Sequence, residues 1–75
     1  MRRAKWEVGA QVQVPYYCFA PYRSGWNGWL FAEGVVVERR VGVGKNDGKR
    51  YSVVEYTANG KTQRKQYRVE NVFER

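Results

Sequence analysis

Positively charged side chains give this 75-residue chain its clearest chemical capacity. Fourteen Lys and Arg stand against seven Asp and Glu, so the formal net charge is +7. On so small a surface this charge creates a positive field that attracts polyanions. We therefore expect nucleic acid, either DNA or RNA, to be the partner, bound mainly through its phosphates. The alternative is that the charge only maintains solubility.

The cations form three clusters along the sequence. They are Arg2, Arg3 and Lys5; Arg39, Arg40, Lys45, Lys49 and Arg50; and Lys61, Arg64, Lys65 and Arg68. The second cluster spans the end of one predicted strand and the start of the next, and the third follows on the strand after that. Strand pairing therefore brings the two clusters onto one surface. Eight residues are expected to contact phosphates: Arg39, Arg40, Lys49, Arg50, Lys61, Arg64, Lys65 and Arg68.

Aromatic residues are the second feature with a chemical use. There are twelve, six of them tyrosine, and Tyr22 and Trp26 lie in a segment punctuated by Ser, Gly and Pro that predicts a loop. Ring faces exposed in such a loop can stack on unpaired bases of any sequence. We expect Tyr22 and Trp26 to be stacking groups, with core packing or a partner interface as the alternatives.

Residues for catalysis are scarce. The chain has no histidine, its carboxylates are scattered, and the single Cys18 has no adjacent base. One cysteine without histidine offers no metal-ligand spacing and no intrachain disulfide. The sequence therefore predicts a non-enzymatic protein that uses no metal or cofactor.

Location is predicted from the same composition. A lone cysteine suggests a reducing compartment. Neither a membrane-spanning apolar run nor a charged-then-apolar leader is evident, so we expect Met1 to be the native start of a soluble, intracellular chain in the cytoplasm, nucleoid or nucleus.

Hydrophobic alternation predicts β-strands. Residues 8–14 alternate apolar and other side chains and form a first strand that Pro15 ends. Residues 15–28 form a long loop, and residues 29–41 form a second strand in which Gly34 marks a bulge or sharp bend. The segment 42–48 connects to the next strand.

The last third of the chain predicts a hairpin. Residues 51–57 and 62–67 are strands, and Asn59-Gly60 supplies the two positive-φ positions of a type I′ turn. Residues 69–73 follow as a short turn and a terminal strand. No apolar set at helical spacing persists, so no helix of ordinary length is expected.

Five short strands with a bent second strand predict an all-β fold, a small antiparallel SH3-like barrel closed on itself. Residues 1–7 are expected to form a basic N-terminal arm, and residues 8–75 a single barrel domain. The edges of so short a sheet also permit a homodimer.

Motifs over nearly the whole chain resemble those of Tudor and Agenet domains. They are Val8-Gly9-x-x-Val12-x-Val14, Gly28-Trp29-Leu30-Phe31-Ala32-x-Gly34-Val35, Val53-Val54-Glu55-Tyr56-Thr57-x-x-Gly60 and Val69-x-Asn71-Val72. The resemblance implies a Tudor-like barrel. A second resemblance, to the carboxy-terminal DNA-binding domain of retroviral integrases, lies in Val12-x-Val14-x-Tyr16-Tyr17, Trp26-x-Gly28 and Arg64-Lys65.

Tudor domains that recognise methylated lysine or arginine hold the cation between aromatic rings. The resemblance implies that Phe31 and Tyr56 occupy two positions of a partial cage, with a loop aromatic as a third wall. Asn59 and Lys61 stand at the remaining turn positions, and the charge on Lys61 opposes a cationic ligand and favours phosphate. Core packing is the alternative for Phe31 and Tyr56.

Two rival functions follow from the fold. One is a protein-interaction module, either a Tudor-like reader of a modified peptide or a phage or mobile-element accessory protein that docks on an acidic partner. The other is a type II dihydrofolate reductase-like oligomer, but the Val-Gln-Ile-Tyr signature of those enzymes is absent and the nearest segment is Lys65-Gln66-Tyr67-Arg68.

Overall fold

Five antiparallel strands form one sheet in the computed structural model, which describes residues 2–22 and 25–75 and, among these, every side chain except those of Tyr22 and Asn46. The strands are β1 (Gln11–Cys18), β2 (Gly28–Val41), β3 (Arg50–Ala58), β4 (Lys61–Arg68) and β5 (Phe73–Glu74). Their order in the sheet is β4-β3-β2-β1-β5. The predicted all-β class with five antiparallel strands is confirmed.

Helical structure among the described residues is limited to single turns. Three 3₁₀ turns, at Ala20–Tyr22, Gly44–Asn46 and Val69–Asn71, lie in the connections, and the described residues contain no α-helix. No helix in this part of the chain is long and apolar enough to cross a membrane.

Alternating side chains on the strands build the core. The inner face of the sheet carries one cluster, formed by Val12, Val14, Ala32, Val36, Val54, Tyr56, Ala58, Tyr67 and Val72. Tyr67 belongs to β4, at one edge of the sheet, and yet it packs in the same cluster as Val12 and Val14 of β1. The sheet must therefore curl so that its two ends approach each other, which is compatible with an SH3-like barrel.

Tyr67 links the two ends of the curled sheet. Its hydroxyl lies 2.8 Å from the Tyr56 hydroxyl and 3.1 Å from the carbonyl oxygen of Pro15 in β1. A carbonyl only accepts, so both contacts are satisfied when Tyr67 donates to Pro15 and accepts from Tyr56. Burial of its hydroxyl raises the pKa of Tyr67 above its ordinary value.

The first strand lies further along the chain than the sequence predicted. Residues 8 and 9 form a turn, and β1 runs through Pro15 to Cys18. The prediction that Pro15 ends this strand is wrong. The Pro15 carbonyl accepts from Tyr67, so the carbonyl and the nitrogen of Pro15 point away from β2. The N–H that proline lacks would therefore have made no hydrogen bond to β2, and the strand continues through Pro15. The predicted loop at residues 15–28 is therefore wrong at its start, because the backbone stays extended to Cys18.

The bounds of the second strand agree with the prediction to within one residue, but its β-bulge is not at the predicted position. The register against β3 shifts between Val36 and Glu38, so the bulge is at Val37 and not at Gly34. Gly34 instead permits a close approach of the two strands. A Cβ at this position would lie 2.5 Å from the Glu55 carbonyl oxygen and 2.8 Å from Val54 Cγ1.

The hairpin of β3 and β4 is confirmed. Asn59 has φ 52° and Gly60 has φ 74°, as a type I′ turn requires. The turn fixes the register in which Glu55 pairs with Arg64 and Tyr51 pairs with Arg68. The predicted turn and terminal strand at residues 69–73 are present as the last 3₁₀ turn and β5.

The N-terminal residues lie along β5. The Ala4 amide donates to the Val72 carbonyl at 3.0 Å, and the Glu74 amide donates to the Arg2 carbonyl at 2.8 Å. Arg3 forms an isolated β-bridge with Phe73. These contacts place Trp6 against the sheet.

Candidate nucleic-acid interface

Trp6 organises two of the predicted phosphate-binding arginines. The guanidinium carbons of Arg39 and Arg50 lie 5.0 and 5.2 Å from the centre of the Trp6 ring, within the range of cation–π attraction. The Trp6 Nε1 donates to the Tyr51 carbonyl at 2.9 Å, and Arg39 donates to the Trp6 carbonyl at 3.3 Å. The indole thus holds both guanidinium groups at one end of the sheet.

Two further cations lie at the same end. Lys49, Arg50 and Arg68 line a cavity of about 320 Å³ with Gly48, Val69 and Glu70. Arg50 belongs both to this cavity and to the Trp6 contact, so it connects the two. We call Arg39, Lys49, Arg50 and Arg68 the basic end of the sheet.

Arg40 and Arg64 lie on the outer face, opposite the core, and both are paired with carboxylates. Arg40 contacts Glu38 at 2.7 Å and also donates to the Gln66 side chain at 3.1 Å. Arg64 contacts Glu55 at 2.8 Å. These pairs are exposed and weak, but they reduce the charge that the two arginines present to an anion.

Lys61 and Lys65 lie on β4 on the side of the sheet that carries the core, but they remain exposed at its edge. The Lys65 ammonium lies 5.7 Å from the centre of the Tyr67 ring. The ion pairs among the described residues use Arg40, Arg64 and Arg75. Six of the eight predicted contact residues are therefore without a carboxylate partner in the described structure: Arg39, Lys49, Arg50, Lys61, Lys65 and Arg68.

The structure places two of the predicted aromatic residues, Phe31 and Tyr56, on opposite faces of the sheet. Phe31 is exposed on the outer face, where its ring packs edge-on against Phe73 at 5.9 Å. Tyr56 is buried in the core on the inner face. The ring of Trp26 lies over Gly28, where a Cβ would come within 2.6 Å of it. The Tyr22 side chain is outside the described part of the chain.

A different set of aromatic rings is exposed. Tyr17, Phe19 and Trp29 are 41%, 52% and 68% exposed. Tyr17 contacts Phe19 at 5.4 Å and Trp29 at 5.7 Å between ring centres, both in edge-on geometry. With Tyr16, Tyr56, Asn59, Gln63 and Lys65 these rings line a cleft of about 230 Å³, which we call the aromatic cleft.

Asn59 holds one wall of the aromatic cleft. Its side-chain amide donates to the Tyr17 carbonyl at 2.8 Å, and its side-chain oxygen accepts from the Phe19 amide at 3.2 Å. The residue that sets the hairpin turn therefore also fixes the end of β1. Strand alternation through Pro15 would have placed Tyr17 on the outer face, but ending the strand at Pro15 hid this signal.

Among the described residues there is no group of three or more His, Cys, Asp or Glu that could hold a metal ion. Cys18 is buried, and its thiol donates to the Phe19 carbonyl at 3.8 Å.

Comparison with known proteins gives no relative. No family model matches the chain, and neither a curated protein nor a solved structure matches it significantly. The resemblance to Tudor and Agenet domains and to integrase barrels therefore stays a prediction, while the five-stranded antiparallel architecture stands on the structure itself.

Proposed function

We propose that this chain is a non-enzymatic nucleic-acid-binding module that contacts phosphates through the basic end of its sheet and through Lys61 and Lys65. The observation that carries the proposal is the convergence of Arg39 and Arg50 on Trp6, next to Lys49 and Arg68. Four cations without carboxylate partners in the described structure suit a polyanion, whose repeated phosphates can satisfy several of them at once.

Pre-ordering strengthens the proposal. A free arginine loses side-chain entropy when it binds a phosphate. The Trp6 ring and carbonyl already restrict Arg39, and the same ring restricts Arg50. Part of the ordering cost is therefore met by folding, and the guanidinium groups keep donors available for phosphate oxygens.

Removing two unpaired cations tests the proposal against a matched control. Lys49→Ala/Arg68→Ala should reduce the slope of log affinity against log salt by about 2 on duplex DNA, because each lost phosphate contact changes the slope by about 0.9. The control, Lys5→Ala/Arg75→Ala, removes the same formal charge from a surface that also carries Glu7 and Glu74, and one of its two cations, Arg75, is paired with Glu33; it should leave the slope nearly unchanged. Equal effects of the two variants would show that net charge alone, and not the basic end, governs binding.

The rival reader of methylated peptides has less support. A cage needs rings around one point, and Phe31 and Tyr56 lie on opposite faces of the sheet. Titration with methylated histone-type peptides beside duplex DNA, single-stranded DNA and RNA separates the two functions. Submillimolar binding of the peptides, with no binding of any nucleic acid, would favour the rival.

A further inference from the structure

We propose that the aromatic cleft receives an unpaired base, which makes single-stranded nucleic acid the ligand that this surface distinguishes from a duplex. The inference rests on the proposed function and adds the form of the ligand. In a duplex the base faces are covered by their stacked neighbours, so only an unpaired base can present a face to a protein ring.

The rings of the cleft have surface available for a base. The contacts of Tyr17 with Phe19 and with Trp29 are edge-on, at interplanar angles of 63° and 87°. An edge-on contact covers at most one face of one ring, and Trp29 keeps 68% of its surface exposed. The cleft volume of about 230 Å³ is below the roughly 300 to 1,000 Å³ of sites that enclose a whole small molecule, and it suits a single planar ring that enters from the side.

Polar groups around the rings match a nucleotide. Asn59 and Gln63 line the cleft with amide groups, and Lys65 brings a positive charge to it. None of the described residues that line the cleft is a carboxylate. A base on the rings would thus have its phosphate near a cation, whereas an uncharged proline-rich peptide would make no use of Lys65.

Lys65 also connects the cleft to other cations. It lines a second cavity, of about 360 Å³, together with Arg40, Arg64, Gln66 and Glu38, the carboxylate that pairs with Arg40. A strand whose base lies in the cleft could therefore continue along β4 with its phosphates near these side chains. The hold of Asn59 on Tyr17 and Phe19 keeps the rings in place before the ligand arrives.

The test compares three probes with equal backbone chemistry: a fluorescent oligothymidine, an abasic oligomer of the same length, and a duplex. We expect the oligothymidine to bind more tightly than the abasic oligomer. Trp29→Ala should weaken oligothymidine binding about 5- to 150-fold, the range for loss of one stacked base, and leave the abasic oligomer and the duplex unaffected. Trp29→Phe should restore part of the loss, because it keeps a ring.

Phe31→Ala is the control, since it removes another exposed ring of the same strand face that does not line the cleft. Equal binding of the oligothymidine and the abasic oligomer, or an unchanged oligothymidine affinity in Trp29→Ala, would overturn the inference while leaving phosphate binding intact. Displacement of the oligothymidine by a proline-rich peptide that binds more tightly would also overturn it. Failure of all three probes to bind would instead refute the proposed function.

Discussion

Asn59 is predicted to act twice, as the positive-φ residue of the hairpin turn and as the residue that holds Tyr17 and Phe19. Asn59→Gly separates the two roles, because glycine adopts φ 52° without strain but has no side chain to bond β1 and the loop. Asn59→Ala removes both, since it also places a Cβ in the left-handed region.

The expected magnitudes follow from the two hydrogen bonds, at 2.8 and 3.2 Å. A typical intramolecular hydrogen bond contributes about 0.5 to 1.5 kcal/mol net. Asn59 is only partly buried, so water can replace some of what is lost, and we expect Asn59→Gly to cost about 1 to 2 kcal/mol. For a domain of this size that lowers Tm by roughly 4 to 15 °C. Asn59→Ala should cost about 1 to 2 kcal/mol more.

Urea denaturation followed by tryptophan fluorescence gives the free energies, and amide hydrogen exchange locates the effect. The Phe19 amide should exchange faster in Asn59→Gly than in the wild type, because its acceptor has gone. Asn59→Gly with wild-type stability and unchanged protection of Phe19 would refute the dual role of Asn59. A loss in Asn59→Ala no larger than in Asn59→Gly would refute the contribution of the turn conformation.

Three further predictions concern packing and the pH dependence of stability. Gly34→Ala should destabilise by about 3 kcal/mol in urea denaturation, because the added methyl meets the Glu55 backbone. Gly28→Ala should cost less, because the atoms nearest its methyl belong to a side chain, the Trp26 ring, and not to backbone. Similar losses would contradict this explanation. Tyr67→Phe should remove the steepest part of the loss of stability at alkaline pH. The folded pKa of Tyr67 is raised above its ordinary value of about 10. The stability that Tyr67 contributes is therefore complete below pH 10 and is lost above it, by up to about 1.4 kcal/mol per pH unit. Parallel stability curves of wild type and Tyr67→Phe between pH 9 and about 12 would show that Tyr67 is not the group responsible. Trp6→Phe should cost about 1 kcal/mol of stability, because it loses the hydrogen bond to Tyr51, but it should keep nucleic-acid affinity. Trp6→Ala should also weaken nucleic-acid binding, since it removes the ring that orders Arg39 and Arg50. Equal nucleic-acid affinities of the two variants would contradict this role of the ring.

Local chemistry made part of the fold predictable. Asn59-Gly60 defines its turn from two residues alone, and a two-residue turn fixes the pairing of Glu55 with Arg64. The ion pair that lowers the available charge of Arg64 could therefore have been expected from sequence. Arg40 and Glu38 are likewise two apart on one strand, and so share a face.

Contacts between distant segments account for what sequence patterns missed. Pro15 is tolerated in a strand because its carbonyl bonds to the Tyr67 side chain, 52 residues away, and not to β2. The residues next to Pro15 in the sequence do not indicate this contact. The bulge at Val37 depends on how β2 fits β3. Trp6 meets Arg39 only because the N-terminal residues pair with β5. The residues of the basic end were thus predictable as a set of charges, but the contacts of Arg39 and Arg50 with Trp6 were not.

Affinity for duplex DNA as a function of salt tests phosphate binding most directly. Six predicted contact residues without carboxylate partners in the described structure give an expected slope of log affinity against log salt of about −5, with Kd in the range of roughly 10⁻⁴ to 10⁻⁶ M at physiological salt. A Kd weaker than about 10⁻⁴ M for duplex DNA, single-stranded DNA and RNA alike, or tight binding with a slope near zero, would contradict the proposal that this protein binds nucleic acid through its phosphates.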